Sequence, residues 1–336
     1  MTRTARRRWS RELPTQIDGI AIAGSGPVLV HGYDQPAGGK WIDNVIPGKL
    51  AALDRSTGET RWFSPCEVGY GRGFGAGLGA EGDVLVLGPS QQGHRIARMD
   101  LASGELIAAR TIDAFDTALV AADLCVCVAP RRVSAIHPGG LVDVWVVARE
   151  KERYHLAVRD GARVYVVYTN EALGLQGVLT IDVESGRVLG RLLDPSQQSV
   201  HGIAAADGAV ALVVSQVEEA LPPDAFLSAP GAQEDDPPMG LGLIAIRGAH
   251  ASAERALWHA SLGDVDPEFP EVALHADSGK LYIARGADLQ VRDLLSGRPL
   301  GELAVPGLDE SVAWAVVQGA GLLAEETRVS IFEVPD

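Results

Sequence analysis

Residues 50–62 read Leu50-Ala-Ala-Leu-Asp-Arg-Ser-Thr-Gly-Glu-Thr-Arg-Trp62, and this stretch decides the fold. A short apolar run ends on Asp54, a turn follows with Ser56 and Gly58, and the next run carries Trp62. An aspartate carboxylate accepts backbone N–H bonds across a tight turn, and glycine supplies the positive φ that other residues avoid. The unit therefore reads as a β-hairpin whose register is pinned by its turn. It returns at Asp100, Ser103 and Gly104, at Asp182, Ser185 and Gly186, and at Asp293, Ser296 and Gly297. Trp145 and Trp258 repeat the place of Trp62 in the strand that follows a turn. A ring of that size is suited to filling the gap between neighbouring units.

Working outward, seven segments of this kind close on Asp54, Asp100, His137, Asp182, Arg247, Asp293 and Glu333. The steps between them are 46, 37, 45, 65, 46 and 40 residues, a period typical of four-stranded propeller blades. Another β run lies upstream of each turn, from Val28-Leu-Val30 to Leu322-Leu-Ala324. The seventh unit reaches Val334 one strand short, and residues 7–13, with Trp9 in the register of Trp62, read as the missing strand. The expectation is an all-β, seven-bladed β-propeller of four-stranded antiparallel blades, one domain over residues 1–336. The N-terminal strand completes the last blade and closes the ring, which removes an open sheet edge.

On these units the chain resembles the quinoprotein-like (PQQ-like) β-propeller repeat family, along essentially its whole length and most strongly in blades 1, 2, 4 and 6. Blades 3 (His137-Pro-Gly-Gly) and 5 (Arg247-Gly-Ala-His) depart from the turn pattern. The resemblance implies a fold and no single chemistry, because the family holds quinone dehydrogenases, assembly scaffolds and partner-binding subunits. Its quinone enzymes are typically eight-bladed and exported, with Ca²⁺ beside the cofactor. Seven units and the absence of an acidic calcium cluster in the sequence argue against a PQQ-dependent dehydrogenase, and no cofactor is expected.

Composition bounds the partners. The 336 residues include 39 Gly and 19 Pro, too much turn chemistry for a helical bundle, and 46% are hydrophobic, too many for a disordered chain. A net charge of −15 repels phosphate backbones and anionic lipid, so neither nucleic acid nor membrane is an expected partner. Arginines 6–8 are followed by Glu12, Pro14 and Asp18 where an export signal needs an apolar stretch, so a cytoplasmic address is expected. Cys125 and Cys127 share one face of an apolar strand, which reads as core packing. Gly69 to Gly79 alternates glycines before another strand, not before a helix. That context fits a crowded inner strand better than a dinucleotide loop.

Propeller topology gathers the starts of the innermost strands around one end of the central channel. Asp18, Tyr70, Arg72, Asp116, His155, His201, Glu271 and Glu310 are the residues placed there. Loop 33–48 adds Trp41, and an acidic, proline-rich insertion at 216–240 in blade 5 adds Phe226. Asp18, Trp41, Tyr70, Arg72, Phe226 and Glu310 are candidates for binding a partner or ligand. His155 and His201, with Asp116 and Glu271, are candidates for a divalent metal site or for acid–base chemistry. The sequence shows no P-loop, no G-x-S-x-G elbow and no paired metal spacing. The expectation is a non-catalytic module that recognises a protein or small ligand at the channel mouth. The alternative is a metal-dependent or acid–base hydrolase or lyase acting on a lactone or ester-like molecule. No exposed apolar strip is legible that would decide how permanent a partner is.

Overall fold

The computed structural model describes residues 3–22, 26–33, 48–66, 68, 74–90, 93–196, 198–216, 240–247, 256–264 and 272–334. The chain begins with β1 (Arg3–Thr4) and β2 (Arg6–Glu12). Blade 1 follows as β3 (Gln16–Ile22), β4 (Val28–Tyr33), β5 (Gly48–Leu53) and β6 (Thr60–Cys66). Blade 2 is β7 (Gly75–Leu78), β8 (Val84–Ser90), β9 (Gly93–Met99) and β10 (Leu106–Ile112). Blade 3 is β11 (Thr117–Leu119), β12 (Cys125–Ala129), β13 (Arg132–His137) and β14 (Val142–Val147). Blade 4 is β15 (Glu152–Asp160), β16 (Arg163–Asn170), β17 (Leu175–Asp182) and β18 (Val188–Ser196). Blade 5 is β19 (Val200–Ala206), β20 (Ala209–Gln216), β21 (Gly240–Arg247) and β22 (Ala256–Asp264). Blade 6 is β23 (Val272–Asp277), β24 (Lys280–Arg285), β25 (Asp288–Asp293) and β26 (Pro299–Ala304). Blade 7 is β27 (Ala313–Val317), β28 (Ala320–Ala324), β29 (Arg328–Glu333) and, from the other end of the chain, β2.

The seven-bladed propeller is therefore present, and its innermost strands touch one another in sequence from β3 round to β27 and back to β3. Closure occurs as read from the sequence, with Trp9 opposite Ile331 and Arg11 opposite Val329. One strand was not foreseen: β1 adds to β26 in parallel, Arg3 beside Leu303, and makes blade 6 five-stranded.

The core lies between blades. Seven buried clusters each draw residues from two adjacent blades, one cluster per interface. Second strands such as Val84-Leu-Val-Leu87 are buried on both faces, and each such side chain contributes about 1.5–3 kcal/mol. Cys125 and Cys127 are free thiols buried between blades 2 and 3, and burial raises the Cys125 pKa to about 12. Gly75 and Gly77 lie on the crowded inner strand expected of them. A Cβ on either would come within 2.9 Å of Ala118 or Val120 of the next blade.

The turn and the tryptophan prove to be two halves of one latch. Asp100 Oδ1 accepts the Ser103 N–H at 2.7 Å and the Ala102 N–H at 3.0 Å, and Gly104 takes φ 72°. The Trp62 ring of blade 1 lies against that glycine, and its Nε1 donates to the Leu101 carbonyl at 2.7 Å. Trp9 does the same to Arg55 O, Trp145 to Val183 O and Trp258 to Leu294 O. Blades 3 and 5 lack the aspartate turn, and the outer strands preceding them, β10 and β18, lack the tryptophan. Turn and ring are lost together because each is the other's partner.

Candidate functional site

The channel mouth is the end at which the innermost strands start. Three of these strands bulge there. Asp18 is the extra residue between the pairs Ile17–Gly32 and Gly19–His31. His155 and Leu156 together face one residue of β16, and His201 is extra between Val200–Val214 and Gly202–Val213. No register shift occurs between the inner two strands of the other four blades among the described residues. A bulge frees a residue from the ladder and redirects its side chain, and bulges concentrate beside functional sites.

His155 shares a hydrogen bond of 2.7 Å between its Nε2 and Thr169 Oγ1. Burial holds its pKa below the usual imidazole value, Arg153 adds to the effect, and Asp116 opposes it. Asp116 is exposed just before β11 and also acts on His94 of blade 2, so it lies within electrostatic reach of both histidines. His201 is half-buried, its Nε2 is enclosed without a hydrogen-bond partner, and burial lowers its pKa. Glu310 is exposed on the segment between β26 and β27. Trp41, Tyr70, Arg72, Phe226 and Glu271 lie outside the described residues. Among the described residues, no three His, Cys, Asp or Glu side chains are grouped to hold a metal.

A residue that the sequence reading passed over stands beside Asp18. His31 is completely buried in β4, stacked on Phe74 of the neighbouring blade with ring centroids 4.3 Å apart. Its Nδ1 is 3.9 Å from Asp18 Oδ2, and neither ring nitrogen makes a well-formed hydrogen bond. Burial pushes its pKa down to about 3, only partly opposed by the Val68 backbone, so the ring is neutral. Thr15, also buried, leaves its hydroxyl unpartnered against the adjoining Gly32. Tyr33 completes the group, its pKa raised by burial and then by the Asp18 and Glu326 carboxylates. The available signal was a histidine inside the otherwise apolar run Val28-Leu-Val-His-Gly-Tyr33.

No family model and no curated protein matches the sequence. Many solved structures match it, and two of them serve as examples. The crystal structure of BamB from Moraxella catarrhalis matches with a TM-score of 0.53 and 14% identity, over 98% of this chain and 100% of that one. Hydrazine synthase from Kuenenia stuttgartiensis matches with a TM-score of 0.62 and 10% identity, over 97% of each chain. At these identities the likeness is one of fold, and it supports the β-propeller. Among the described residues, no helix is long and apolar enough to cross a membrane.

Proposed function

We propose that this chain is a PQQ-like propeller acting as a protein-interaction or ligand-recognition module through its channel mouth. The observation that carries the reading is the set of three bulged inner strands bearing Asp18, His155 and His201 at one end of the ring. A rigid ring of net charge −15 suits a cationic partner. Hydrolysis at a shared metal has less support. Asp116 reaches His155 electrostatically, whereas burial alone acts on His201.

The test is affinity capture from a lysate of the native host, using the parent chain and an Asp18→Ala/His201→Ala double variant. Metal content is measured on both by mass spectrometry. A reproducible partner, cross-linked to mouth residues and lost in the variant, is the expected result. A partner cross-linked only elsewhere would overturn the reading. So would a stoichiometric metal lost in the variant together with ester or lactone turnover.

A further inference from the structure

The outermost strand of blade 7 carries a charge that no other outer strand has. Four arginines and one glutamate give β2 a net charge of +3. Of the other outer strands, β6 and β10 stand at +1, β18 at zero, and β14, β22 and β26 at −1. Charge blunts an exposed strand edge against wrong pairing. Those six strands manage with two Asp, Glu, Lys or Arg residues at most, so protection alone does not require four arginines.

Nearby carboxylates leave most of this charge standing. Glu333 is held by Arg8 Nε at 3.1 Å, and Glu12 accepts from Arg328 Nε at 2.6 Å and from Thr327 Oγ1 at 2.9 Å. Arg7 and Arg11 meet neutral acceptors. Arg7 Nη2 donates to Pro306 O at 3.4 Å, while Arg11 donates from Nε to Gly58 O and from Nη2 to Thr57 O, both at 3.2 Å. Such bonds fix where a guanidinium sits without cancelling its charge. Among the described residues, no carboxylate pairs with Arg6, Arg7 or Arg11, and all four arginines of β2 are exposed. Arg11 leans on blade 1 and Arg7 on the segment between β26 and β27, so cations flank the strand on both faces. The outer side of β2 pairs with no other strand among the described residues.

We infer that the β2 edge is a docking site for an acidic, extended segment of a partner protein. An extended chain points successive side chains to opposite faces. With guanidiniums on both faces of β2, its carboxylates find a partner on either side. The planar fork of arginine matches a carboxylate with two parallel bonds. The extent of the charge also selects the partner. The strand is only about 20 Å long. Outside it the chain holds 25 basic and 43 acidic residues, a net charge of −18. A nucleic acid or an anionic membrane runs past the strand onto that acidic surface and is repelled. A segment with a few aspartates or glutamates is not. The site lies on the perimeter of the ring and uses none of Asp18, His155 and His201.

The experiment uses the full chain and two rhodamine-labelled octapeptides, one alternating glutamate with serine and the other lysine with serine, read by anisotropy. The glutamate peptide binds saturably and the lysine peptide does not. Raising salt from about 0.05 to 0.5 M weakens binding by roughly tenfold, because exposed charges are screened. Arg6→Gln/Arg7→Gln weakens it by about fivefold, as expected for two exposed charge pairs. Arg187→Gln/Arg298→Gln makes the same change in net charge at exposed sites on blades 4 and 6 and leaves binding unchanged. So does Asp18→Ala/His201→Ala, which separates this site from the channel mouth. Melting curves confirm that each variant is folded. No binding, no response to salt, or equal losses in the two arginine pairs overturns the inference. Tighter binding of a labelled thymidine octanucleotide than of the glutamate peptide also overturns it, in favour of a nucleic acid.

Discussion

At the residue scale, His31 shows how much a site depends on burial. An imidazole in water titrates near 6.5, but enclosure between β4 and Phe74 brings it down to about 3. Below pH 6.5 the unfolded chain takes up a proton that the folded chain refuses until about pH 3, so stability falls as pH drops across that window. By pH 5 the loss from this one residue is about 2 kcal/mol. His31→Phe keeps a ring on Phe74 and removes the titration. Urea unfolding at pH 7 and pH 5 is expected to show a smaller loss in the variant by about that amount. Equal losses would mean that the ring is not enclosed as described. His94, His155, His201 and His275 are lowered by burial too, and they account for the slope that remains.

At the element scale the unit of stability is the latch between blades. Its aspartate turn was legible because the constraint is local: a carboxylate, a serine and a glycine within five residues make the turn wherever they occur. The tryptophan was legible as a gap filler, but which turn it grips was not, since Trp62 and Leu101 are joined only by the packing of blade 1 on blade 2. Gly104 and Gly174 separate the backbone from the contact. Both have positive φ, yet a Cβ on Gly104 meets the Trp62 ring at 2.6 Å while Gly174 has open space. Gly174→Ala is expected to cost about 1 kcal/mol from the backbone alone. Gly104→Ala is expected to cost a further 1–3 kcal/mol, roughly, from overpacking. Equal costs in denaturant titrations would dismiss the latch.

At the scale of the whole molecule, the ring is held shut by residues from its two ends. Removing residues 3–12 strips β2 from β29, takes Trp9 from its latch and bares a sheet edge over Val329 and Ile331. The expected outcome is a lower melting temperature with concentration-dependent aggregation, both reversed by adding a synthetic peptide of residues 3–13. A truncated chain that stays monomeric and melts like the parent would show that closure contributes nothing.

The repeat, the number of blades and the closing strand could be determined from the sequence alone, because each is written in local chemistry that recurs about every 46 residues. Blades 3 and 5 could be counted despite their altered turns, since their apolar strands keep the period. Only the tertiary structure decided that Asp18, His155 and His201 stand in bulges, that His31 is sealed, and that Val142, Val144 and Val146 face outward. Alternating valines read the same whether the next blade covers them or not, and a histidine in a strand reads the same wet or dry. Burial is a property of the neighbouring blade, and that neighbour is set by the closing of the ring.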